Sequence, residues 1–170
     1  MKKTIFLLAV AFLGLTVQGF SQEDKSKRAS PPAQVKAVLE GKNITIDYSR
    51  PAVKERKVWG GLVPYGEVWR TGANETTTFE VSEDVLVEGQ KLPKGKYALF
   101  TIPGEKEWTI IFNKGIAWGA YSYKESEDVL RVKVTPKEAS APHELFTIEV
   151  FDKGIVSLMW DKVSVDFQVK

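Results

Sequence analysis

The sequence contains no cysteine and only one histidine, His143. The absence of cysteine excludes disulfide bonds and thiolate metal ligands, so stability has to come from an apolar core. A single histidine argues against zinc, because zinc sites in proteins are built mainly from cysteine and histidine. We therefore predict no metal site and no cofactor.

Long apolar runs are also scarce, and the one that stands out extends from Ile5 to Val17, one residue after Lys2 and Lys3. Positive charge, an apolar run and then small residues are typical of a secretory signal peptide. The run is shorter than the roughly 20 residues that a membrane-spanning helix needs. We therefore predict a signal peptide over residues 1–21, cleaved after Ser21 or one or two residues away, and a periplasmic or extracellular mature protein without a transmembrane segment.

A basic excess is missing once this segment is removed. The chain has 24 basic and 22 acidic residues, and residues 1–21 contain two lysines and no acidic residue, which leaves 22 of each. Nucleic-acid-binding proteins usually carry a basic surplus because they neutralise phosphates. We therefore expect no nucleic-acid partner.

What the sequence does contain is a series of short apolar runs separated by turn residues. In the first run, Ile44, Ile46 and Tyr48 share one face of a strand, while Thr45 and Asp47 share the other. The later runs are TTTFEV (76–81), DVLVEG (84–89), KYALFTI (96–102), EWTIIFN (107–113), VLRVKVT (129–135), ELFTIEVF (144–151), IVSLMW (155–160) and VSVDFQV (163–169). About nine short strands without a long helix predict an all-β fold, specifically an antiparallel Greek-key β-sandwich of Ig-like or jelly-roll-like type.

The domain boundaries follow from the same pattern. Residues 22–34, QEDKSKRASPPAQ, are charged, contain prolines and lack an apolar period, which predicts a flexible leader. The strand pattern begins at Val35. We therefore predict a single domain over residues 35–170.

Tyr97 gives a sharper local signal, because it follows Gly95 by two residues at the start of a predicted strand. This spacing resembles the tyrosine corner of Greek-key sandwiches, in which the phenol bonds to backbone upstream. The alternative is an ordinary strand tyrosine. Either way, Tyr97 is predicted to have a structural role.

One stretch, residues 49–75, loses strand periodicity for longer than compact domains usually allow. It contains the polar and aromatic residues Arg50, Arg56, Trp59, Tyr65, Glu67, Trp69, Arg70, Asn74 and Glu75. Guanidinium groups suit carboxylate, sulfate or phosphate, and indole rings offer flat apolar faces, so this long loop is suited to form a ligand cleft. In the alternative, Trp59 and Trp69 close one end of the sandwich, while Arg50 and Arg70 pair with Asp47, Glu67 or Glu75.

A second aromatic patch is WGAYSY, residues 118–123. Trp118, Tyr121 and Tyr123 suit a stacking wall for a sugar ring or a peptide. The alternative is a long connection whose aromatic side chains cover the core. The binding interpretation is strengthened if the fold places this patch beside residues 59–75.

The segments DYSRPAVKERKVWGGLVPYGEVWRTGANETT, LPKGKYALFTIPGEKEWTIIFN, WGAYSY and DVLRVKV together resemble the exported bacterial proteins grouped as domain of unknown function 2911. The resemblance extends from about Pro31 to the C-terminus, and it implies no mechanism. The residues that it places at positions of the family signature are Tyr48, Arg50, Pro51, Arg56, Trp69, Arg70, Gly72, Asn74, Glu75 and Trp118.

These observations favour a binding module for an anionic or glycan-like ligand over catalysis. The predicted ligand-binding residues are Arg50, Trp69, Arg70, Asn74, Glu75 and Trp118. One alternative is a structural or interaction protein of the cell envelope without a small-molecule site. The other is a hydrolase that uses Glu75 with a second acid, and it requires a carboxyl group of raised pKa. No catalytic residue is assigned.

Overall fold

A computed structural model describes residues 24–119, 121 and 123–170. The predicted signal peptide lies outside the described residues. Within the described ranges, no helix is long and apolar enough to span a membrane.

The described residues form ten strands. In chain order they are β1 (Pro32–Leu39), β2 (Lys42–Ser49), β3 (Thr78–Val81), β4 (Val85–Val87), β5 (Gln90–Leu92), β6 (Gly95–Ile102), β7 (Trp108–Asn113), β8 (Asp128–Val134), β9 (Lys137–Phe151) and β10 (Ile155–Gln168). A six-stranded antiparallel sheet has the order β1-β2-β3-β6-β7-β8. The remaining strands form two hairpins, β9-β10 and β4-β5.

Backbone hydrogen bonds join the two hairpins into a second layer. The end of β10 bonds to β4, where the Leu86 amide donates to the Lys170 carbonyl at 2.7 Å and the Lys170 amide donates back at 2.9 Å. The other side of the β9-β10 hairpin forms a bridge between Leu145 and Ala52. The prediction of an all-β, antiparallel, sandwich-like fold is therefore confirmed, whereas its Greek-key connection stays a prediction.

The core lies between the six-stranded sheet and this second layer. The β3 side chain Phe79 and the β7 side chain Phe112 meet Phe167 of β10, with ring centroids 6.2 and 6.1 Å away. The predicted alternation in β2 is confirmed, because Ile44 and Ile46 are fully buried. Alternation therefore directs one face of each layer toward the other.

Two tyrosine hydroxyls of this core form hydrogen bonds with backbone groups. The Tyr48 hydroxyl accepts a hydrogen bond from the Ile148 amide at 3.1 Å and so links β2 to β9. The Tyr97 hydroxyl donates to the Pro93 carbonyl at 2.7 Å. The bond from Tyr97 to upstream backbone confirms the tyrosine-corner prediction.

The strand boundaries differ from the expected ones at two places. β1 begins at Pro32, before the predicted domain start at residue 35, because an edge strand tolerates proline and Pro32 pairs with Ser49. β9 begins at Lys137 and so includes residues 137–143, which lie between two of the predicted strands. Its partner β10 continues through Asp161 and Lys162, which separate two of the predicted strands, and its pairing with β9 shifts in register on both sides of Asp161.

Candidate ligand-binding cleft

A cluster of tryptophans closes the end of the sandwich beneath the long loop. The Trp59 ring lies 5.7 Å from Trp69, 4.8 Å from Trp108 and 5.7 Å from Trp160, in edge-to-face geometry. Trp59 is only 8% exposed. The alternative in which loop tryptophans cover the core therefore holds for Trp59.

Trp69 is half-buried and is held by hydrogen bonds from both its backbone and its indole nitrogen. Its backbone pairs with Thr101 at the end of β6, and its Nε1 donates to the Gly72 carbonyl at 3.1 Å. Gly72 has a φ of +152°, and a Cβ at this position would lie 3.0 Å from the Ser49 carbonyl oxygen. A glycine is therefore needed where this turn approaches β2.

A concavity of about 300 Å³ lies between this turn and the tryptophan cluster. Its described lining residues are Ser30, Pro51, Arg56, Leu62, Val63, Trp69, Arg70, Gly72, Ala73, Asn74 and Trp160, and we refer to it as the Arg56–Arg70 cleft. The volume is at the lower end of the range for small-molecule sites. Among these described residues there is no acidic side chain.

The two arginines of the cleft bond to backbone carbonyls. Arg56 donates from Nε to the Val53 carbonyl at 3.0 Å and from Nη2 to the Ala52 carbonyl. Arg70 donates from Nη1 to the Asn74 carbonyl at 3.0 Å. Neither has a carboxylate of any described residue within ion-pair distance, so neutral groups hold both positive charges in place.

Glu75, a predicted ligand-binding residue, is engaged outside the Arg56–Arg70 cleft. It accepts hydrogen bonds from Lys25 at 2.9 Å and from Arg28 at 2.8 and 3.0 Å. The hydrogen bonds from Lys25 and Arg28 lower the pKa of Glu75 to about 2. Glu75 is therefore ionised at neutral pH, and it lines a separate hollow with Lys25 and Asp47.

Arg50 also lies outside the lining of the Arg56–Arg70 cleft. Its Nε donates to the Phe146 carbonyl at 3.1 Å, and its Nη2 donates to the Thr147 hydroxyl at 2.9 Å. Arg50 thus ties the end of β2 to β9. Within the described chain, neither Arg50 nor Arg70 forms the ion pairs with Asp47, Glu67 or Glu75 that the structural alternative required.

Asn74 lines the cleft and connects it to the N-terminal segment. Its Nδ2 donates to the Ser30 carbonyl at 3.0 Å. Asn74 adopts a φ of +58°, a left-handed conformation that asparagine tolerates better than most residues. Of the six predicted ligand-binding residues, the structure therefore brings Trp69, Arg70 and Asn74 into one concavity.

The loop that carries Trp118 packs against the end of the 49–75 segment, although Trp118 is not part of the described lining of the cleft. Thr76 donates from its hydroxyl to the Ala117 carbonyl, which holds the loop against the end of the 49–75 segment. Gly119 is so close to Arg70 that a Cβ on it would lie 3.2 Å from Nη1. The Trp118 side chain itself is 62% exposed.

The predicted aromatic wall of residues 118–123 is divided between two environments. Tyr123 packs edge-to-face on Phe100, at 5.2 Å between ring centroids, and donates to Asp128 at 2.9 Å. Tyr121, in contrast, is 96% exposed. Tyr123 therefore covers the outer face of the sheet, while Trp118 and Tyr121 face solvent.

The comparisons with known proteins agree with the sequence signature. A family model described as "Protein of unknown function (DUF2911)" matches residues 30–169. The chain belongs to this family. The predicted resemblance is thereby confirmed. No match was found among curated proteins or among solved structures.

Sequence reasoning on this DUF2911 chain missed several cleft residues. Ser30 belonged to the predicted leader, and Trp160 belonged to an apolar run read only as a strand. Arg56 was recognised as part of the long loop, but it was not among the predicted ligand-binding residues. No local pattern identifies Trp160 as a cleft residue, because it reaches the cleft through tertiary packing against Trp59 and Trp69. In the described ranges, no group of histidine and carboxylate side chains is suited to hold a metal ion.

Proposed function

We propose that this DUF2911 protein is an exported binding module for an anionic or glycan-like ligand, which it holds in the Arg56–Arg70 cleft. The observation that supports the proposal is the unbalanced charge of this cleft. Arg56 and Arg70 line one concavity with Trp69, and no acidic side chain of a described residue lines it with them. An anion supplies the missing counter-charge.

The chemistry of the lining suits a ligand with both an anionic and an apolar part. A guanidinium group has five N–H donors, and the carbonyl contacts of Arg70 and Arg56 use only some of them. The unused donors suit the paired oxygens of carboxylate, sulfate or phosphate. Trp69 adds a flat wall for the apolar part of the same molecule.

The paired state of Glu75 argues against its use as the general acid of a hydrolase. A general acid for glycoside cleavage needs a raised pKa so that it keeps its proton near neutral pH. The pKa of Glu75 is instead lowered to about 2 by Lys25 and Arg28. Glu75 therefore has no proton to donate under those conditions.

Isothermal titration calorimetry with sulfate, phosphate and citrate tests the proposal at low ionic strength. We expect saturable binding of at least one of these anions, weakened about tenfold or more in Arg70→Gln and in Arg56→Gln. Lys57→Gln is the matched control, because it removes an exposed positive charge of the same loop that is not part of the cleft lining. This control should bind like the unaltered protein.

Two outcomes would contradict this function. One is that none of the three anions binds, which would favour an interaction role in the cell envelope. The other is that Lys57→Gln weakens binding as much as Arg70→Gln, which would show a diffuse charge effect and no defined site.

A further inference from the structure

We propose that the ligand is an acidic saccharide, a sugar bearing a carboxylate or sulfate group, which bridges Arg70 and the indole of Trp118. The inference rests on the proposed function, because it assigns the anionic group of the saccharide to the Arg56–Arg70 cleft. It adds a second contact outside that cleft and thereby narrows the class of ligand.

The first support is that Trp118 is exposed while its backbone is held. Thr76 is 7% exposed, and its hydroxyl donates to the Ala117 carbonyl on one side of Trp118. The same hydroxyl lies 3.5 Å from the Gly119 carbonyl on the other side. The indole is nevertheless 62% exposed and makes no ring contact with another described residue. The fold therefore presents a large apolar ring to solvent on a backbone that Thr76 holds in place.

The second support is that the backbone next to this ring lies close to the uncompensated charge of Arg70. Gly119 is buried, and a Cβ built on it would lie 3.2 Å from Nη1 and 3.5 Å from Cζ of Arg70. Consecutive Cα atoms are about 3.8 Å apart, so Trp118 starts one residue away from that contact. The backbone that carries the Trp118 indole thus lies next to the Arg70 guanidinium group.

The third support is the chemistry that these neighbours share. One face of a pyranose ring presents mainly C–H groups, which pack on the flat face of an indole. A carboxylate or sulfate on the same sugar accepts hydrogen bonds from guanidinium. A simple anion gains only the arginine contact, and a neutral sugar gains only the stacking contact. An acidic saccharide gains both, which is the combination present at Arg70 and Trp118.

The test compares three probes by calorimetry: trigalacturonate, the neutral trisaccharide of galactose, and inorganic sulfate. We expect trigalacturonate to bind at least tenfold more tightly than either of the others. Trp118→Ala should abolish this gain and leave sulfate binding unchanged, while Trp118→Tyr should retain most of the gain. Phe151→Ala is the control, because Phe151 is an exposed aromatic at the end of β9 and should not affect any probe.

The outcomes separate this inference from the proposed function. Only the saccharide inference fails if sulfate binds in an Arg70-dependent way but trigalacturonate binds no more tightly than sulfate. The same holds if trigalacturonate binds more tightly than sulfate but Trp118→Ala keeps that gain in affinity. If neither sulfate nor trigalacturonate binds, both fail. Tighter binding of pentaglutamate than of trigalacturonate, with the same dependence on Trp118, would assign the surface to acidic peptides and overturn the saccharide inference.

Discussion

The indole of Trp69 stacks on that of Trp160, with ring centroids 5.7 Å apart and ring planes inclined by 15°. Trp69 belongs to the long loop, and Trp160 belongs to β10 of the second layer. The wall of the cleft is therefore continuous with the core. A residue that contacts a ligand here also contributes to the stability of the fold.

Trp69→Ala is predicted to lower the free energy of unfolding by about 2–3 kcal/mol. This loss is smaller than for a fully buried tryptophan, because Trp69 is half-buried. Urea denaturation followed by far-UV circular dichroism measures this change. Trp118→Ala is the matched control, and its exposed side chain should change stability by less than about 0.5 kcal/mol. Equal losses in both variants would contradict the structural distinction between these two tryptophans.

Much of the fold is predictable from sequence because each element carries its own period. The alternation at Ile44 and Ile46 identifies β2 and its buried face, and the spacing of Gly95 and Tyr97 identifies the start of β6. The extent of β9 is not predictable in this way. Its first half is polar, and it becomes a strand only because β10 pairs with it.

The site is predictable only in part, because its members come from distant segments. Trp69, Arg70 and Asn74 lie in one unusual loop, so the composition of that loop identifies them as candidates. Arg50 lies in the same loop and has the same chemistry, yet its guanidinium binds β9. The direction of a side chain depends on tertiary contacts, and sequence pattern does not encode it.

Tyr97→Phe tests the bond that fastens the start of β6. The variant removes a hydroxyl that donates to the Pro93 carbonyl at 2.7 Å, so we expect a loss of about 1 kcal/mol in the free energy of unfolding. Tyr65→Phe is the control, because the Tyr65 side chain is 40% exposed. A Tyr97→Phe variant as stable as the control would contradict the structural role of this corner.

Glu75→Gln tests the pairing of Glu75 with Lys25 and Arg28. The folded pKa of Glu75 is lowered to about 2 from an ordinary value of 4.5, so its stabilising contribution is present above pH 4.5 and is lost as pH falls toward 2. The unaltered protein should therefore exceed Glu75→Gln in stability at pH 7, and this difference should shrink below pH 4.5. Because the pair is partly exposed, the difference should not exceed about 1 kcal/mol.

Thermal unfolding at pH 7, 4 and 3 measures this dependence, and added salt should reduce the difference at pH 7. Glu105→Gln is the control, because Glu105 is exposed and forms no ion pair with a described residue. The assigned direction of the pKa shift would be contradicted if the difference in stability between Glu75→Gln and the unaltered protein grew as the pH falls.

Thr76→Val tests whether the Thr76 hydroxyl holds the loop that carries Trp118. Valine has nearly the same shape but cannot donate to the Ala117 carbonyl, so residues 114–119 should open more readily. Hydrogen exchange followed by mass spectrometry should show faster exchange in this segment and little change in β2 or β6. Thr45→Val, a half-buried change in β2, is the control and should leave the loop unaffected. Unchanged exchange in Thr76→Val would contradict the role of the Thr76 hydroxyl in holding this loop against the 49–75 segment.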